Sequence, residues 1–279
     1  MRDGVCRLCG EPGASTIARI TARPRGEVDY HIPEDRYDRT VCHCRRCGAY
    51  SNLHNLLASD FYQGQYNADA YRGRMHERFI TIRTLPEGAS DNRERARRVD
   101  RFLQGQGRLP SSTSVLDVGM GLCVFLAEMK DLGYRCLGVD PDACSTDHAR
   151  EQVGIDACWA GTLESLAPSV QVDLVTLNKV LEHVEDPVRQ LELARQHLAP
   201  GGGVYVELPD GDLALSLGSC DQRNEFNVEH LVIYTLPALQ YLAEAAGFTV
   251  TEEGSMVEPS GKATLYGFLT PIEPVEGSL

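Results

Sequence analysis

The chain has 279 residues, of which 42% are hydrophobic and 24% are charged, the balance of a globular protein with a sizeable core. Its length suggests about two domains. The sequence contains no apolar run of the ~18–20 residues that a membrane span requires, and it begins without the hydrophobic segment of a signal peptide. We therefore expect a soluble, cytoplasmic protein with no membrane partner.

Charge is distributed unevenly along the chain. The formal net charge is −13, yet residues 1–110 carry 19 Lys and Arg against 14 Asp and Glu, a net of +5. Residues 111–279 carry 8 against 26, a net of −18. Such asymmetry indicates two units with different roles. Because nucleic-acid affinity depends mostly on neutralised phosphates, the acidic residues 111–279 argue against a nucleic-acid partner. The charge distribution is still compatible with one small phosphate-bearing substrate bound at a basic patch.

Five of the ten cysteines lie within the first 47 residues, and four of them form two Cys-x-x-Cys-Gly repeats, Cys6–Gly10 and Cys44–Gly48. The two-residue spacing lets both thiolates reach one ion, and the glycine lets the backbone turn. Without an export signal, such pairs indicate metal ligands rather than disulfides. We predict a closed, structural Zn²⁺ site. Its ligands are Cys6, Cys9, Cys44 and Cys47, with Cys42 and His43 as alternatives.

The segments after the first repeat are less regular. Residues 27–33, between the two repeats, are polar and strand-like, and a tyrosine-rich connector follows at 61–71. We expect residues 1–72 to form the zinc-binding subdomain with this connector, and residues 73–110 to form a helical linker. Several arginines at 93–101 indicate either a solvated helix face or a contact with phosphate.

After this linker, short apolar strands alternate with amphipathic helices, the pattern of a parallel α/β sheet. A buried strand leads directly into Gly119-Met-Gly121, and a helix follows over residues 123–132. The next strand ends at Asp140, 19 residues after Gly121. Glycines let the backbone approach a ligand, the helix N-terminus offers a positive dipole end, and an acidic residue at this place accepts hydrogen bonds from ribose hydroxyls.

These motifs, in this order, resemble the class I S-adenosyl-L-methionine (SAM)-dependent methyltransferases. Residues 117–121 are similar to the DxGxGxG loop of that class, with Cys123 in place of the third glycine. Residues 179–187 resemble its VLEHVxDP segment, and residues 199–203 its LxPGG turn. The resemblance implies an α/β fold with a Rossmann-like seven-stranded sheet over residues 111–279.

The same resemblance implies that SAM is the cofactor. Asp117 would anchor the loop near the methionine amino group, and Asp140 would hold the ribose. Thr162 stands where an adenine-contacting residue usually lies, although the common acidic residue is absent there. The implied cofactor-binding residues are Asp117, Gly119, Gly121, Asp140, Thr162, Asn178 and Tyr71.

Residues 209–233 form an insertion that we expect to act as a lid at the carboxyl ends of the strands. The cysteine repeats, the tyrosine-rich connector and Glu229-His230 before Leu-x-x-Tyr-Thr together resemble the deoxysugar C-methyltransferases and their smaller relatives. That resemblance implies His230 as general base, Glu229 as its orienting carboxylate or a clamp for a substrate hydroxyl, and His183 as a further candidate. Alternatively, Glu229 and His230 only cap the insertion.

We therefore expect methyl transfer from SAM to an O, N or C atom of a small hydroxylated metabolite, such as a nucleotide-linked sugar or a glycosylated natural product. Asn227 replaces the tyrosine expected three residues before His230, and no additional carboxy-terminal domain is recognised. Both departures favour O- or N-methylation. The alternatives are a zinc-containing rRNA methyltransferase, disfavoured by the acidic body, and a non-catalytic zinc- and SAM-binding partner protein, disfavoured by the intact loop.

Overall fold

The computed structural model describes residues 4–56, 74–155 and 157–273. Its strands form two sheets, one of four strands and one of seven. The strands of the described residues are β1 (Ser15–Ile20), β2 (Arg39–His43), β3 (Tyr50–Leu53), β4 (Ser114–Val118), β5 (Arg135–Asp140), β6 (Cys158–Ala160), β7 (Val172–Asn178), β8 (Leu198–Pro209), β9 (Val232–Ile233), β10 (Phe248–Val257) and β11 (Ala263–Pro271). The α-helices are α1 (Met75–Arg83), α2 (Asp91–Gly105), α3 (Val124–Asp131), α4 (Ala143–His148), α5 (Pro187–Gln196), α6 (Gly211–Leu217) and α7 (Leu236–Ala245). Within these described ranges, no helix has the length and apolar character needed to cross a membrane.

The seven-stranded sheet has the order β10-β11-β8-β7-β4-β5-β6. Strands β4 to β8 pair in parallel, whereas β11 runs antiparallel to both β8 and β10. Every residue of β4 is buried, which is typical of a parallel strand covered on both faces. The expected α/β fold with a Rossmann-like seven-stranded sheet is confirmed.

The strand order determines where a ligand can enter. The chain leaves β4 toward β5 and β6, and then crosses back over the sheet to β7. Because the direction of strand addition reverses at β4, a crevice opens beyond the carboxyl ends of β4 and β7. The residues that follow β4, β5 and β7 therefore lie around this crevice.

Helix α2 packs two of its arginines against β8. Glu207 of β8 accepts hydrogen bonds from Arg95 Nε at 2.7 Å and from Arg98 Nη1 at 2.6 Å. All three side chains are buried. Burial raises the pKa of Glu207, but the positive charges of Arg95, Lys179 and Arg98 outweigh it and lower that pKa to about 2. The expectation that the arginines of residues 93–101 form a solvated face or meet phosphate is therefore wrong for these two, which pair inside the protein.

The four-stranded sheet joins the N-terminal segment to the insertion. Its order is β1-β2-β3-β9, with antiparallel pairing throughout. Since β9 belongs to residues 209–233, this sheet contains strands from both ends of the chain. The strand-like character predicted for residues 27–33 is wrong, because no strand forms there; Glu27 is instead drawn into a buried polar network.

Candidate active site

The loop after β4 passes three times through the left-handed region of the backbone. Its φ angles are 71° at Gly119, 48° at Gly121 and 62° at Cys123. A Cβ atom on Gly119 would lie 2.9 Å from Val180 Cγ2, so this position requires glycine for space as well as conformation. Cys123 adopts the left-handed conformation although it carries a side chain, and it precedes α3 directly. The cysteine therefore keeps the backbone path that a third glycine would follow.

Asp140, at the end of β5, joins this loop to the neighbouring strand. Its Oδ2 accepts a hydrogen bond of 2.8 Å from the backbone N–H of Gly121, and its Oδ1 accepts one of 2.8 Å from the N–H of Asp142. Burial raises the pKa of Asp140 above its ordinary value. Each carboxylate oxygen has a second lone pair for a hydroxyl donor. The position and chemistry of Asp140 therefore suit a vicinal diol such as ribose.

Asp117 and Asn178 lie at the carboxyl ends of the two strands that border the crevice, as the penultimate residue of β4 and the last residue of β7. Asp117 Oδ1 accepts hydrogen bonds from Thr176 Oγ1 at 2.6 Å and from Asn178 Nδ2 at 2.8 Å. Burial raises the pKa of Asp117 to about 7. Among the described residues, the buried Asn178 Oδ1 has no hydrogen-bond partner. A buried acceptor beside a buried carboxyl suits a ligand that brings an ammonium group, as SAM does.

Two further residues, Thr162 and Tyr71, were predicted to bind the cofactor, and the structure describes only Thr162. Thr162 follows β6 and is exposed. It caps a short 3-10 helix, Leu163–Ser165, and its backbone N–H donates to Ser165 Oγ at 3.1 Å. Thr162 therefore lies at the correct edge of the sheet, one strand beyond Asp140. Tyr71 lies outside the described residues.

The four cysteines of the two repeats come together at one point. The Sγ atoms of Cys6 and Cys47 are 3.6 Å apart, as are those of Cys9 and Cys44, and all four lie within 4.8 Å of one another. A tetrahedral ion held at about 2.3 Å from each sulfur requires sulfur separations near 3.8 Å. Cys42 lies outside this group, with its Sγ 3.7 Å from Thr16 Oγ1.

Backbone geometry explains why the two repeats have equal spacing. Gly10 N donates to Cys6 O at 3.0 Å, and Gly48 N donates to Cys44 O at 2.9 Å. Both glycines have positive φ, 70° and 78°. A Cβ atom on Gly48 would lie 2.9 Å from the Thr235 hydroxyl oxygen, so the second repeat packs closely against the start of α7. The cluster is thereby attached to the larger sheet.

A cavity of about 390 Å³ adjoins the cofactor crevice. One of its lining residues is Lys179, which directly follows Asn178. The Nζ atom of Lys179 donates to Thr264 Oγ1 at 2.6 Å and to Leu208 O at 3.1 Å. Burial lowers the pKa of this lysine. The polar lining includes Lys179, Glu182, His183, Asn227, Glu229 and His230. The structure therefore brings the three predicted catalytic residues into one cavity next to the predicted cofactor residues.

The histidines of this cavity are held by backbone carbonyls. His230 Nδ1 is 2.8 Å from Glu225 O, and His183 Nδ1 is 3.3 Å from Glu229 O. The two rings meet edge to face with centroids 4.8 Å apart. Burial, and next the neighbouring His183, lower the pKa of His230 to about 4. His230 is thus neutral at pH 7, and a proton on Nδ1 leaves the lone pair on Nε2.

The loop that carries Glu229 and His230 is fixed by the N-terminal unit, by which we mean residues 4–56. Asn52 Nδ2 donates to Asn227 O at 2.9 Å and to His230 O at 2.8 Å. Arg39 donates to Asn52 Oδ1 at 2.8 Å and also to Phe226 O. Glu27 Oε1 accepts from the N–H of Val228 at 2.8 Å and from Arg39 Nη2 at 3.3 Å. This buried network ties residues 226–230 to the four-stranded sheet.

Sequence reasoning missed several residues that build the cavity. Asn52 and Arg39 lie in short strands with no motif, so no local signal identifies them. Lys179 has a signal that could have been found, since it directly follows Asn178 at the end of a strand beside the crevice. Glu182 was not missed, since the sequence suggests for Glu182 and His183 a structural role, a place on the cofactor side or a contact with substrate, but it does not indicate that the Glu182 side chain is buried.

Comparisons with known proteins identify similar chains among the methyltransferases. Mitochondrial ubiquinone biosynthesis O-methyltransferase of Schizosaccharomyces pombe is 29% identical over 103 residues, covering 34% of this chain and 38% of the relative. The chain thus matches well under half the length of that protein. The solved structure of Burkholderia thailandensis 1,6-didemethyltoxoflavin-N1-methyltransferase, with S-adenosylhomocysteine bound, superposes with a TM-score of 0.55 at 18% identity, covering 84% of this chain and 96% of that one.

A second solved structure, the magnesium protoporphyrin IX methyltransferase of Synechocystis, superposes with a TM-score of 0.54 at 14% identity. It covers 73% of this chain and 97% of that one. At such identities these two likenesses concern the fold. Residues 89–253, more than half of the chain, match the family described as "Methyltransferase domain". The protein therefore belongs to this methyltransferase-domain family and has the fold of class I SAM-dependent methyltransferases.

Proposed function

We propose that the protein transfers the methyl group of SAM to an oxygen or nitrogen atom of a small hydroxylated metabolite. One observation supports this most strongly: the chain passes from Asn178, which is paired with Asp117, directly to Lys179 in the lining of a cavity that contains a neutral imidazole, His230. A methyltransferase needs a cofactor site and a proton acceptor side by side. The chain offers both at the carboxyl edge of one sheet.

On the cofactor side, each residue has a distinct assignment. Asp140 would bind the ribose hydroxyls, and the buried oxygen of Asn178 would accept a hydrogen bond from the methionine ammonium group. That positive charge would favour the ionised form of Asp117, whose pKa burial raises. Gly119 and Gly121 leave the loop backbone free to approach the cofactor. Thr162 is assigned to the adenine end.

On the acceptor side, His230 would take the proton of the attacking group through Nε2. Its Nδ1 contact with Glu225 O orients the ring, and its lowered pKa keeps the lone pair available at pH 7. Asn227 Nδ2 lies 3.3 Å from Glu229 Oε1 and donates to it, so Glu229 is held as a clamp for an acceptor hydroxyl. His183 forms the opposite wall. The enzyme's contribution would be alignment for in-line attack together with deprotonation.

The acceptor class follows from the lining of the cavity. Charged and amide side chains dominate the polar wall, which favours a hydroxylated compound such as a sugar or glycoside over an apolar one. The named relatives act on metabolites of different kinds, a ubiquinone precursor and a toxoflavin precursor by their descriptions. A sugar or natural-product pathway is therefore the assignment that the residues of this chain support.

The four clustered cysteines are assigned to a structural Zn²⁺ ion. The donor set is four sulfurs, and their separations suit a tetrahedral site with no position left for substrate. When bound, the ion would supply folding free energy to a segment too short for a large core of its own. The reacting groups all lie elsewhere, in the cavity beside the seven-stranded sheet.

Two variants test this proposal. Asp140→Ala should weaken SAM binding at least ~10-fold by calorimetry, because both ribose contacts and the anchor of Gly121 are lost. His230→Gln should leave SAM affinity unchanged and lower S-adenosylhomocysteine formation at least ~10²-fold with a pool of hydroxylated acceptors. Wild-type protein that binds no SAM would refute the proposal. Near-normal turnover by a well-folded His230→Gln variant would remove only the base assignment and leave His230 as a cap.

A further inference from the structure

A second group of metal-binding side chains lies in the acceptor cavity, apart from the four cysteines. Glu182, His183 and His230 each present one ligand atom within 4.8 Å of the others. His183 Nε2 is 4.0 Å from Glu182 Oε1. Two imidazoles and one carboxylate form a common donor set for divalent transition metals.

The orientation of both imidazoles supports metal binding independently of their proximity. Each ring places Nδ1 against a backbone carbonyl, Glu229 O for His183 and Glu225 O for His230. An Nδ1–H that donates to a carbonyl fixes the tautomer and leaves the Nε2 lone pair free. Proteins orient metal-binding histidines through such contacts. A pair of histidines that serve only packing would not need the same arrangement twice.

Glu182 provides the third observation. Its side chain is 1% exposed, and Oε2 has no hydrogen-bond partner within the described ranges. The backbone holds the residue in place, because Glu182 O accepts a hydrogen bond from the N–H of Leu231 at 2.7 Å. A buried carboxylate oxygen without a partner is unfavourable unless a cation satisfies it.

We propose that Glu182, His183 and His230 bind a divalent transition-metal ion, such as Zn²⁺, Mn²⁺ or Fe²⁺, with open positions toward the cavity. The inference rests on the proposed function, because the cavity is the one assigned to the acceptor. A bound ion would coordinate an acceptor hydroxyl and lower its pKa. The hydroxyl proton would pass to Glu229, and the oxygen electron pair would then attack the SAM methyl group and release S-adenosylhomocysteine.

In the metal-loaded state the lone pair of His230 is committed to the ion, so Glu229 replaces His230 as the side-chain proton acceptor. Metal binding by three protein ligands also gives a reason for the two histidines of the cavity and for the buried Glu182 and Glu229 beside them. Glu182 acts as a ligand and Glu229 as the proton acceptor, so each carboxylate has its own assignment.

The experiment counts metal ions on the full chain. Wild-type protein is equilibrated with Co²⁺, dialysed, and analysed by inductively coupled plasma mass spectrometry and visible absorption. Wild type should hold two ions per chain, one with thiolate-to-cobalt charge-transfer bands and one without. Glu182→Gln and His183→Ala should each hold one, and only the bands without thiolate character should disappear. His31→Asn is the matched control, since His31 is exposed and has a positive φ that asparagine tolerates.

SAM binding, measured by calorimetry on the same samples, separates the two proposals. Variants that still bind SAM are folded, so a lost ion in them identifies the ligand site. One ion in wild type that shows only thiolate bands, or two ions in Glu182→Gln and His183→Ala alike, overturns the metal site even if SAM binds normally. Wild type that holds two ions and binds no SAM refutes the proposed function and leaves the metal site standing.

Discussion

The two sides of the site are built in different ways. On the cofactor side, the contacts join residues 19 positions apart for Gly121 and Asp140, and 61 apart for Asp117 and Asn178, all at the ends of strands in one sheet. On the acceptor side, the loop at 226–230 is held by residues 174 to 201 positions earlier in the chain. Neighbouring parallel strands provide the cofactor side, whereas the acceptor side combines residues 27–52 with residues 226–230, which are distant in sequence.

Because of this difference, the two sides of the site depend on different parts of the structure for their support. The cofactor side rests on the parallel strands and their buried core. The acceptor side rests on the four-stranded sheet, in which Tyr50 of β3 pairs with Ile233 of β9, and on the cysteine cluster where Gly48 meets Thr235. Damage to the N-terminal unit should therefore impair acceptor chemistry first and SAM binding later. The following predictions test that order.

The largest effect is expected from Cys44→Ser. Loss of one of four thiolates should release the bound metal, and structural zinc contributes on the order of 10 kcal/mol to the folding of small metal-binding domains. We expect methyl transfer to fall by at least ~10²-fold because the 226–230 loop loses its support, while SAM affinity changes less than ~3-fold. Metal content, calorimetry with SAM and turnover measure the three effects.

Cys42→Ser is the matched control, because Cys42 lies two residues away and outside the cluster. It should keep its metal and its activity. If Cys44→Ser lost SAM binding as completely as it lost turnover, the two sides would be one cooperative unit and the separation would not hold.

The next effect is expected from Arg39→Met. Its guanidinium pairs with Glu27, and both side chains are at most 1% exposed. Removal leaves a buried carboxylate without its cation, which costs about 3–5 kcal/mol. Urea unfolding measures this loss. Arg19→Met, which removes an exposed partner of Asp38, should leave the unfolding midpoint unchanged.

The double variant Arg39→Met with Glu27→Gln sharpens this test. It should recover part of the lost stability, because no unpaired charge stays buried. No recovery would mean that Arg39 acts through its contacts with Asn52 and the Phe226 carbonyl rather than through Glu27.

The same contrast explains how much the sequence could predict. The strand, glycine loop and Asp140 are consecutive features whose spacing is set by one βαβ unit, so the parallel α/β sheet followed from the pattern and its seven strands from the resemblance. The two cysteine repeats likewise predicted that Cys6, Cys9, Cys44 and Cys47 cluster. These features could be predicted because each depends on residues that are close together in the sequence or at a fixed spacing.

The residues that fix the acceptor loop carry no such information. Asn52 is an ordinary strand residue, and its role depends on carbonyls from the other end of the chain. Arg98 was expected at a surface or at phosphate, because a run of arginines on a polar helix does not reveal that Glu207 lies opposite in the core. Glu27 was expected in a strand, although its side chain is drawn into the buried pair with Arg39. Each of these outcomes depends on tertiary contacts.

A smaller effect is expected from Asp117→Asn, measured as a function of pH. Burial raises the pKa of Asp117 from its ordinary value to about 7 in the folded chain, so the folded state holds a proton that the unfolded state has released. The contribution of Asp117 to wild-type stability should therefore be largest below pH ~4 and be lost as the pH rises to about 7. Between pH 5 and 8, wild type without SAM should lose about 2 kcal/mol relative to the variant.

Denaturant unfolding of both proteins at several pH values gives this difference, and titrations shared by the two proteins cancel. The variant should also bind SAM more weakly, since its side chain cannot become negative beside the ammonium group. A constant difference between pH 5 and 8 would mean that Asp117 ionises normally and that the cofactor side is already solvated before SAM binds.

The smallest effect is expected on the acceptor side, in the pH dependence of turnover at saturating SAM. Burial and His183 lower the pKa of His230 to about 4, so the imidazole stays unprotonated as the pH falls from 7.5 to 5.5. Turnover should change less than ~2-fold over this range, whereas a histidine of ordinary pKa would lose about 10-fold. Saturating SAM removes the contribution of Asp117. A 10-fold decline in folded protein would show that His230 is open to solvent, and the N-terminal unit would then not shield the loop as the contacts of Asn52 indicate.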